Sequence, residues 1–251
     1  MSEGIGVEDR GAIRRVTFDR PAKKNAITLA MYESLMRAFS EAAASEATAV
    51  VLLDAEGDAF TAGNDIADFV RASTGQGSED AGGGVKFLQH MAAFPKPVVA
   101  AVNGLAIGIG STLLLHCDLV LASSTASFQF PFTRLGIVPE AGSSLLLPMR
   151  VGYQRASEWL LLGERIDAQT ALSAGLVNAV VAPAELASAA MGRAEALTKL
   201  PIGSLCETKR LMREPFKGAL SEIMSKEFEA FGRRLVSPEA AAAFQAFLAR
   251  K

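Results

Sequence analysis

The chain has 251 residues, half of them hydrophobic, with 25 lysines and arginines against 27 acidic residues and a net charge of −2. That length and composition allow one main α/β domain with a large core and a smaller terminal piece, and they argue against a disordered chain. The near-neutral balance lacks the basic footprint of phosphate-backbone binding, so no nucleic-acid partner is expected.

In chain order, the opening MSEGIGVEDRG is polar and lacks the charged start and apolar stretch of a secretory signal. The alternating AIRRVTFD (12–19) predicts a strand, and TLAMYESLMRAFSEAAA (28–44) a helix with Leu29, Tyr32, Leu35, Met36 and Phe39 on one face. AVVLLD (49–54), PVVAAV (97–102) and DLVLAS (118–123) are short apolar runs suited to buried strands. VKFLQHMAAF (85–94) reads as a helix, with Phe87, Met91 and Phe94 at helical spacing. Before it, the glycine-rich STGQGSEDAGGG (73–84) has no periodicity and reads as a surface loop, with a lid beside a site as the alternative.

The repeated strand-then-helix rhythm argues α/β. After GLVNAVV (175–181) the chain turns almost wholly helical, and Ser237 with Pro238 marks the start of a last helix. We place a boundary near residue 195, dividing a core (1–195) from a C-terminal helical region (196–251) whose apolar faces suit packing on the core or on another subunit. Cys117 and Cys206 lack metal or disulfide spacing and read as buried thiols in a reducing compartment; no metal site is expected. Apolar runs such as GLAIGIGSTLLLHC are too short to span a membrane, so a cytoplasmic location without membrane partners is expected.

Two strand–turn–helix stretches could carry chemistry. AFTAGNDIADF (59–69) places Gly63 in a turn open to close approach, and KPVVAAVNGLAIGIGSTLLLHCD (96–118) places Gly104, Gly108 and Gly110 before a helix. Neither matches a dinucleotide or P-loop fingerprint, and each alone is also consistent with an ordinary turn. In RLGIVPEAGSS (134–144), Glu140 is a lone carboxylate among apolar and small residues. By itself it suits a helix N-terminus as well as a catalytic role.

Together with RPAKKNAIT (20–28), FPFTRLGIVPEAGSS (130–144) and LLLGERIDAQTALSAGLVNAVV (160–181), these stretches resemble the crotonase (enoyl-CoA hydratase/isomerase) superfamily over residues 12 to 250. The resemblance implies a spiral of ββα units with a C-terminal helical trimerisation region, and hence a homotrimer or a hexamer built as a dimer of trimers. It implies an acyl-CoA thioester substrate, with coenzyme A part of that substrate and no separate cofactor. Backbone N–H groups of Ala62 and Ile109 would form an oxyanion hole for the thioester enolate, each donor worth about 3–4 kcal/mol. Ala22 and Lys24 would border the nucleotide, and Asp65 and Ile66 the adenine. Gly63, Asn64, Gly108 and Phe132 complete the expected substrate surface, and Lys23 or Lys24 could pair phosphates.

The hydratases of the family use two glutamates; their positions here hold Thr112 and Phe132, which cannot take up and return a proton at neutral pH. Glu140 instead resembles the single glutamate of the peroxisomal-type Δ3,Δ2-enoyl-CoA isomerases. It would shuttle a proton from C2 to C4 of a 3-enoyl-CoA through a dienolate. Alternatives are an enoyl-CoA hydratase, another crotonase-type enolate reaction (a dehalogenase-like hydrolase or a lyase), and a non-catalytic acyl-CoA-binding protein. His116 reads as a satisfied core histidine, and His90 lies on a helix near the expected acyl pocket. Trp159, Phe128 and Phe130 read as core.

Overall fold

The computed structural model describes residues 4–65 and 83–249. The opening residues form a hairpin, β1 (Ile5–Arg10) antiparallel to β2 (Ile13–Phe18), with Gly11 at a φ of +58° in the turn. β1 is an edge strand whose last four residues are exposed and mostly charged, the composition that keeps an edge from pairing with another chain. That is why its sequence reads as polar. α1 (Leu29–Ala44) starts where the Thr28 hydroxyl accepts from the Met31 N–H.

A strand of one sheet, then a short strand of a second, then helical chain is the recurring plan. β3 (Val50–Ala55) leads to β4 (Ala59–Thr61), and α2 (Gly83–Ala93) returns the chain to the first sheet. β5 (Val98–Val102) leads to β6 (Leu105–Ile107) and α3 (Ile109–Thr112), which runs into a 3-10 turn at Leu113–His116. β7 (Leu119–Ser123) leads to β8 (Ser127–Gln129). After α4 (Ser143–Val151) and α5 (Tyr153–Leu162), β9 (Arg165–Asp167), α6 (Ala168–Ser173) and β10 (Ala179–Val181) finish the sheets. Among the described residues the large sheet runs β1-β2-β3-β5-β7-β10, parallel beyond β2, and the small one β4-β6-β8-β9.

Both faces of the large sheet are covered, which explains the unbroken apolar runs. Val51, Leu53, Val98, Ala100 and Val102 point into the main core with Phe39, Phe60, Phe87 and Phe128. Their neighbours Val50, Leu52, Val99 and Ala101 point the other way, onto Leu186, Ala190 and Ala194 of α7 (Leu186–Thr198). The expected boundary near 195 therefore falls inside a helix that belongs with the sheet, and the C-terminal region starts after it. The expected helix at 85–94 begins earlier, at Gly83; the rest of the 73–84 segment lies outside the described residues.

Three helices follow: α8 (Ile202–Arg213), α9 (Lys217–Leu235) and α10 (Pro238–Leu248). α8 is held by charge. Lys209, 4% exposed, donates to Asp118 Oδ2 and to the Lys96 carbonyl, both at 2.6 Å. Arg213 reaches Asp118 Oδ1 at 3.3 Å and the His116 carbonyl at 2.8 Å, while Asp118 Oδ2 also accepts from the Val98 N–H. One carboxylate thus ties α8 to β5 and to the 3-10 turn behind the site. Losing Lys209 strips Asp118 of its shortest ionic partner and leaves only the longer Arg213 contact and the Val98 N–H, so Lys209→Met should cost about 3 kcal/mol in denaturant unfolding. Arg210→Met, on the exposed face of the same helix, should leave the denaturant midpoint close to that of wild type.

Candidate active site

Three turns meet at one end of the spiral. The first follows β4. Asn25, fully buried with a φ of +55°, anchors it: Nδ2 donates to the carbonyls of Glu56 and Ala59, and Oδ1 accepts from the Arg20 N–H. The Asn25 carbonyl in turn accepts from the Thr61 hydroxyl at 2.7 Å. Ile27 then brackets the turn, donating to the Gly63 carbonyl and accepting from the Asp65 N–H. The RPAKKN stretch is thereby laid alongside AGND. Arg20 pairs with Asp65 at 2.7 Å, and the Tyr32 hydroxyl donates to Asn64 Oδ1. Lys24 pairs with Asp58 on the surface, so its ammonium already has a carboxylate partner instead of standing open to a phosphate. Ala22 and Lys23 are exposed beside it.

The second turn follows β6. Gly108, at a φ of +57°, accepts from the N–H groups of Ser111 and Thr112 and so starts α3 at Ile109. The two turns press together backbone to backbone. A Cβ on Gly63 would lie 2.8 Å from the Ile107 carbonyl oxygen, and one on Gly110 would lie 2.9 Å from that of Thr61. This approach puts Ala62 and Ile109 side by side. The Ile109 N–H opens the helix and has no acceptor among the described residues. The Ala62 N–H, expected to stand open, donates to the Lys24 carbonyl at 2.9 Å. Lys24 sits in a left-handed conformation that turns this carbonyl back onto the loop, and a substrate oxygen at Ala62 has to share or displace it.

The third turn carries Glu140. Ala141 and Gly142 both have positive φ, +63° and +69°, an arrangement that costs an alanine roughly 1–2 kcal/mol. Two buried groups hold it. Nε2 of His116 donates to the Ala141 carbonyl at 2.8 Å. Glu227 of α9 accepts from the N–H groups of Gly142 and Ser144 and from the Ser144 hydroxyl. Glu227 thereby caps α4, the role a local side chain has at other helix starts. Leu220 and Met224, on the same face of α9, close over Gly142. Sequence reading missed Glu227; its one signal was an acidic residue at helical spacing from that apolar pair.

The Glu140 carboxyl turns inward, and Thr112 of α3 donates its hydroxyl to Oε1. Burial, reinforced by the nearby Glu227 carboxyl, pushes the Glu140 pKa up to about 8 against the lowering effect of the Thr112 hydrogen bond. His116 is fully enclosed and burial pushes its pKa down to about 4, so it stays neutral, the core histidine expected. Phe132 is buried, as are Phe128, Phe130 and Trp159, the last two stacked at 6.4 Å. Nε2 of His90 on α2 is buried without a hydrogen-bond partner among the described residues. Ile66 lies outside the described residues. Among those described, no group of acidic, histidine or cysteine side chains is arranged to hold a metal ion, and no helix is long and apolar enough to cross a membrane.

Comparison with known proteins shows the family and the fold. Residues 8–251 match the Enoyl-CoA hydratase/isomerase family model, and the chain belongs to that family. It is 37% identical to Enoyl-CoA delta isomerase 2 of Rattus norvegicus over all of this chain, which spans 64% of that protein's length. It is 32% identical to a probable enoyl-CoA hydratase of Rhizobium meliloti (strain 1021), covering 99% of this chain and 96% of that one. The crystal structure of an enoyl-CoA hydratase/isomerase from Pseudoalteromonas atlantica T6c superposes with a TM-score of 0.92 at 38% identity, covering 99% of this chain and 98% of the other. The fold is therefore the crotonase spiral.

A carboxyl with a raised pKa holds its proton more tightly folded than unfolded, so its contribution to stability is lost as pH rises from about 4.5 to about 8. His116 acts with the opposite sign, gaining stability as pH rises from about 4 to 6.5. Glu140→Gln removes only the first effect. Relative to wild type, its unfolding free energy should improve by a few kcal/mol, as an order of magnitude, between pH 5 and pH 8.

Proposed function

We propose that the protein is a Δ3,Δ2-enoyl-CoA isomerase, with Glu140 as its proton carrier. The observation that carries this reading is the carboxyl itself: inward-facing, held by Thr112, and beside the turn that presents the Ile109 N–H. The position at which family hydratases carry their first glutamate holds Thr112, which is spent on positioning Glu140 instead of activating water.

The thioester carbonyl of a 3-enoyl-CoA would rest against the Ile109 N–H, joined by the Ala62 N–H once the Lys24 carbonyl yields. The CoA portion would run past Ala22 and Lys24 toward Asn64 and Asp65. Ionised Glu140 removes a proton from C2, and the electron pair delocalises onto the thioester oxygen and C4. The carboxylic acid so formed returns the proton to C4, leaving the conjugated 2-enoyl-CoA. One carboxyl both takes and gives, so the step balances without water or a second base. A site pKa near neutrality suits that double task. Gly63, Gly108 and Phe132 would wall the reacting end of the acyl chain.

Exposed apolar side chains on α4, α5 and α8, among them Met149, Leu161, Leu162, Leu211 and Met212, suit burial against further copies of the chain in a trimer or a dimer of trimers. Sedimentation should give a trimer or hexamer for wild type, and Leu161→Glu with Met212→Glu should shift it toward monomer.

Purified protein given 3-hexenoyl-CoA should develop the ultraviolet absorbance of a conjugated enoyl thioester. Glu140→Gln should lower the rate by about 10²–10⁴-fold. Because the base must be ionised, kcat/KM should rise with pH and level off above about 8. Loss of absorbance from 2-hexenoyl-CoA instead would identify a hydratase and overturn the reading.

A further inference from the structure

We propose that Thr112 and Glu227 are the positioning residues that make Glu140 a single-oxygen proton carrier: Thr112 occupies Oε1 and leaves Oε2 for the substrate, while Glu227 brings the C-terminal helix α9 into the site by fixing the turn that aims the carboxyl. The inference deepens the isomerase reading and rests on Glu140 being its proton carrier.

Thr112 is wholly buried and its hydroxyl is spent on Oε1. A hydroxyl donates to a carboxylate and can accept from a carboxylic acid, so it can stay bonded through both halves of a proton transfer. An apolar side chain there would leave Oε1 without its hydrogen-bond partner. With Oε1 engaged, removal at C2 and return at C4 both pass through Oε2, on one face of the dienolate.

Glu227 acts from the other side. It is 6% exposed, and its contacts with Gly142 N–H at 2.5 Å and Ser144 N–H at 2.9 Å hold the residues immediately after the left-handed Ala141. The Glu140 carbonyl is held in the same turn by the N–H and hydroxyl of Ser143. The other ionisable groups packed around this turn are accounted for. His116 is neutral and bonded to Ala141, and Arg150 of α4 reaches the Leu115 carbonyl at 3.0 Å. Arg234 of α9 bonds the Gly136 carbonyl and pairs with Glu239 of α10, and His90 lies on α2 with its own pKa lowered by burial. Burial raises the pKa of Glu227 as well, and in its ionised form this second carboxyl disfavours ionisation of Glu140, whereas the Thr112 hydrogen bond favours it.

The two residues should pull the titration of Glu140 in opposite directions, which loss of packing alone would not produce. The Glu140 carboxyl can be followed without substrate by 13C NMR on protein labelled at glutamate carboxyls, assigned with Glu140→Gln. Thr112→Val should move the titration up by about one unit and lower kcat about tenfold, the size of one lost hydrogen bond, and Thr112→Ser should restore both. Glu227→Gln should move the titration down and shift the rise of kcat/KM to lower pH. Glu227→Asp keeps the charge but shortens its reach to the turn, so it should lower kcat while leaving the titration near wild type. That variant tests the holding role if Glu227→Gln does not fold. Titrations that stay put, or move the same way in Thr112→Val and Glu227→Gln, overturn the proposal even in an active enzyme. A wild type silent on 3-hexenoyl-CoA overturns the isomerase reading, while the substrate-free titrations still decide whether these residues govern Glu140.

Discussion

A carboxyl group turned inward from solvent needs partners for both of its protonation states, because an unpaired charge and an unpaired neutral oxygen are each costly away from water. Much of the architecture around Glu140 answers that need. The Thr112 hydroxyl can serve either form. The turn behind the carboxyl has an alanine in a left-handed conformation, and it is bonded from the core side by His116 and from the C-terminal side by Glu227. Strain of this kind persists where surrounding structure over-determines it, and here two buried polar groups do so.

The scaffold delivers Thr112 through a repeated unit. The central strands β3 and β5 are covered on both faces, so their positions are fixed by packing, and β3, β5 and β7 are each followed by a short strand of the second sheet. The turns after β4 and β6 then touch through their glycines, with no room for side chains between Gly63 and Ile107 or between Gly110 and Thr61. Bringing backbone against backbone is what places Ala62 beside Ile109 and puts Thr112 one helical turn further in. Asn25 is the matching anchor on the other side, tying RPAKKN to the first turn through buried hydrogen bonds.

Much of this was legible. The buried strands announce themselves as apolar runs, α1 and α2 by periodicity, and the family by its motif set. β1 was not legible, since an exposed edge strand is selected to look polar. That residue 195 falls within α7 was not legible, because the small residues of that helix, chiefly Ala190 and Ala194, read as a generic amphipathic face and do not show that they cover the sheet. Ala62 was expected to be an open donor, but hydrogen-bond occupancy depends on where the Lys24 carbonyl turns.

The sequence by itself determined the family, the α/β plan, the glycine turns and the solitary glutamate, because periodicity, composition and motif spacing are properties of neighbouring residues. Only the tertiary structure decided what that glutamate meets. Thr112 lies 28 residues from it, and Glu227 lies 85 from the Gly142 N–H that it accepts from. A carboxyl's proton affinity is set by burial and by the charges and donors within a few ångströms, and those neighbours come from segments that only folding brings together.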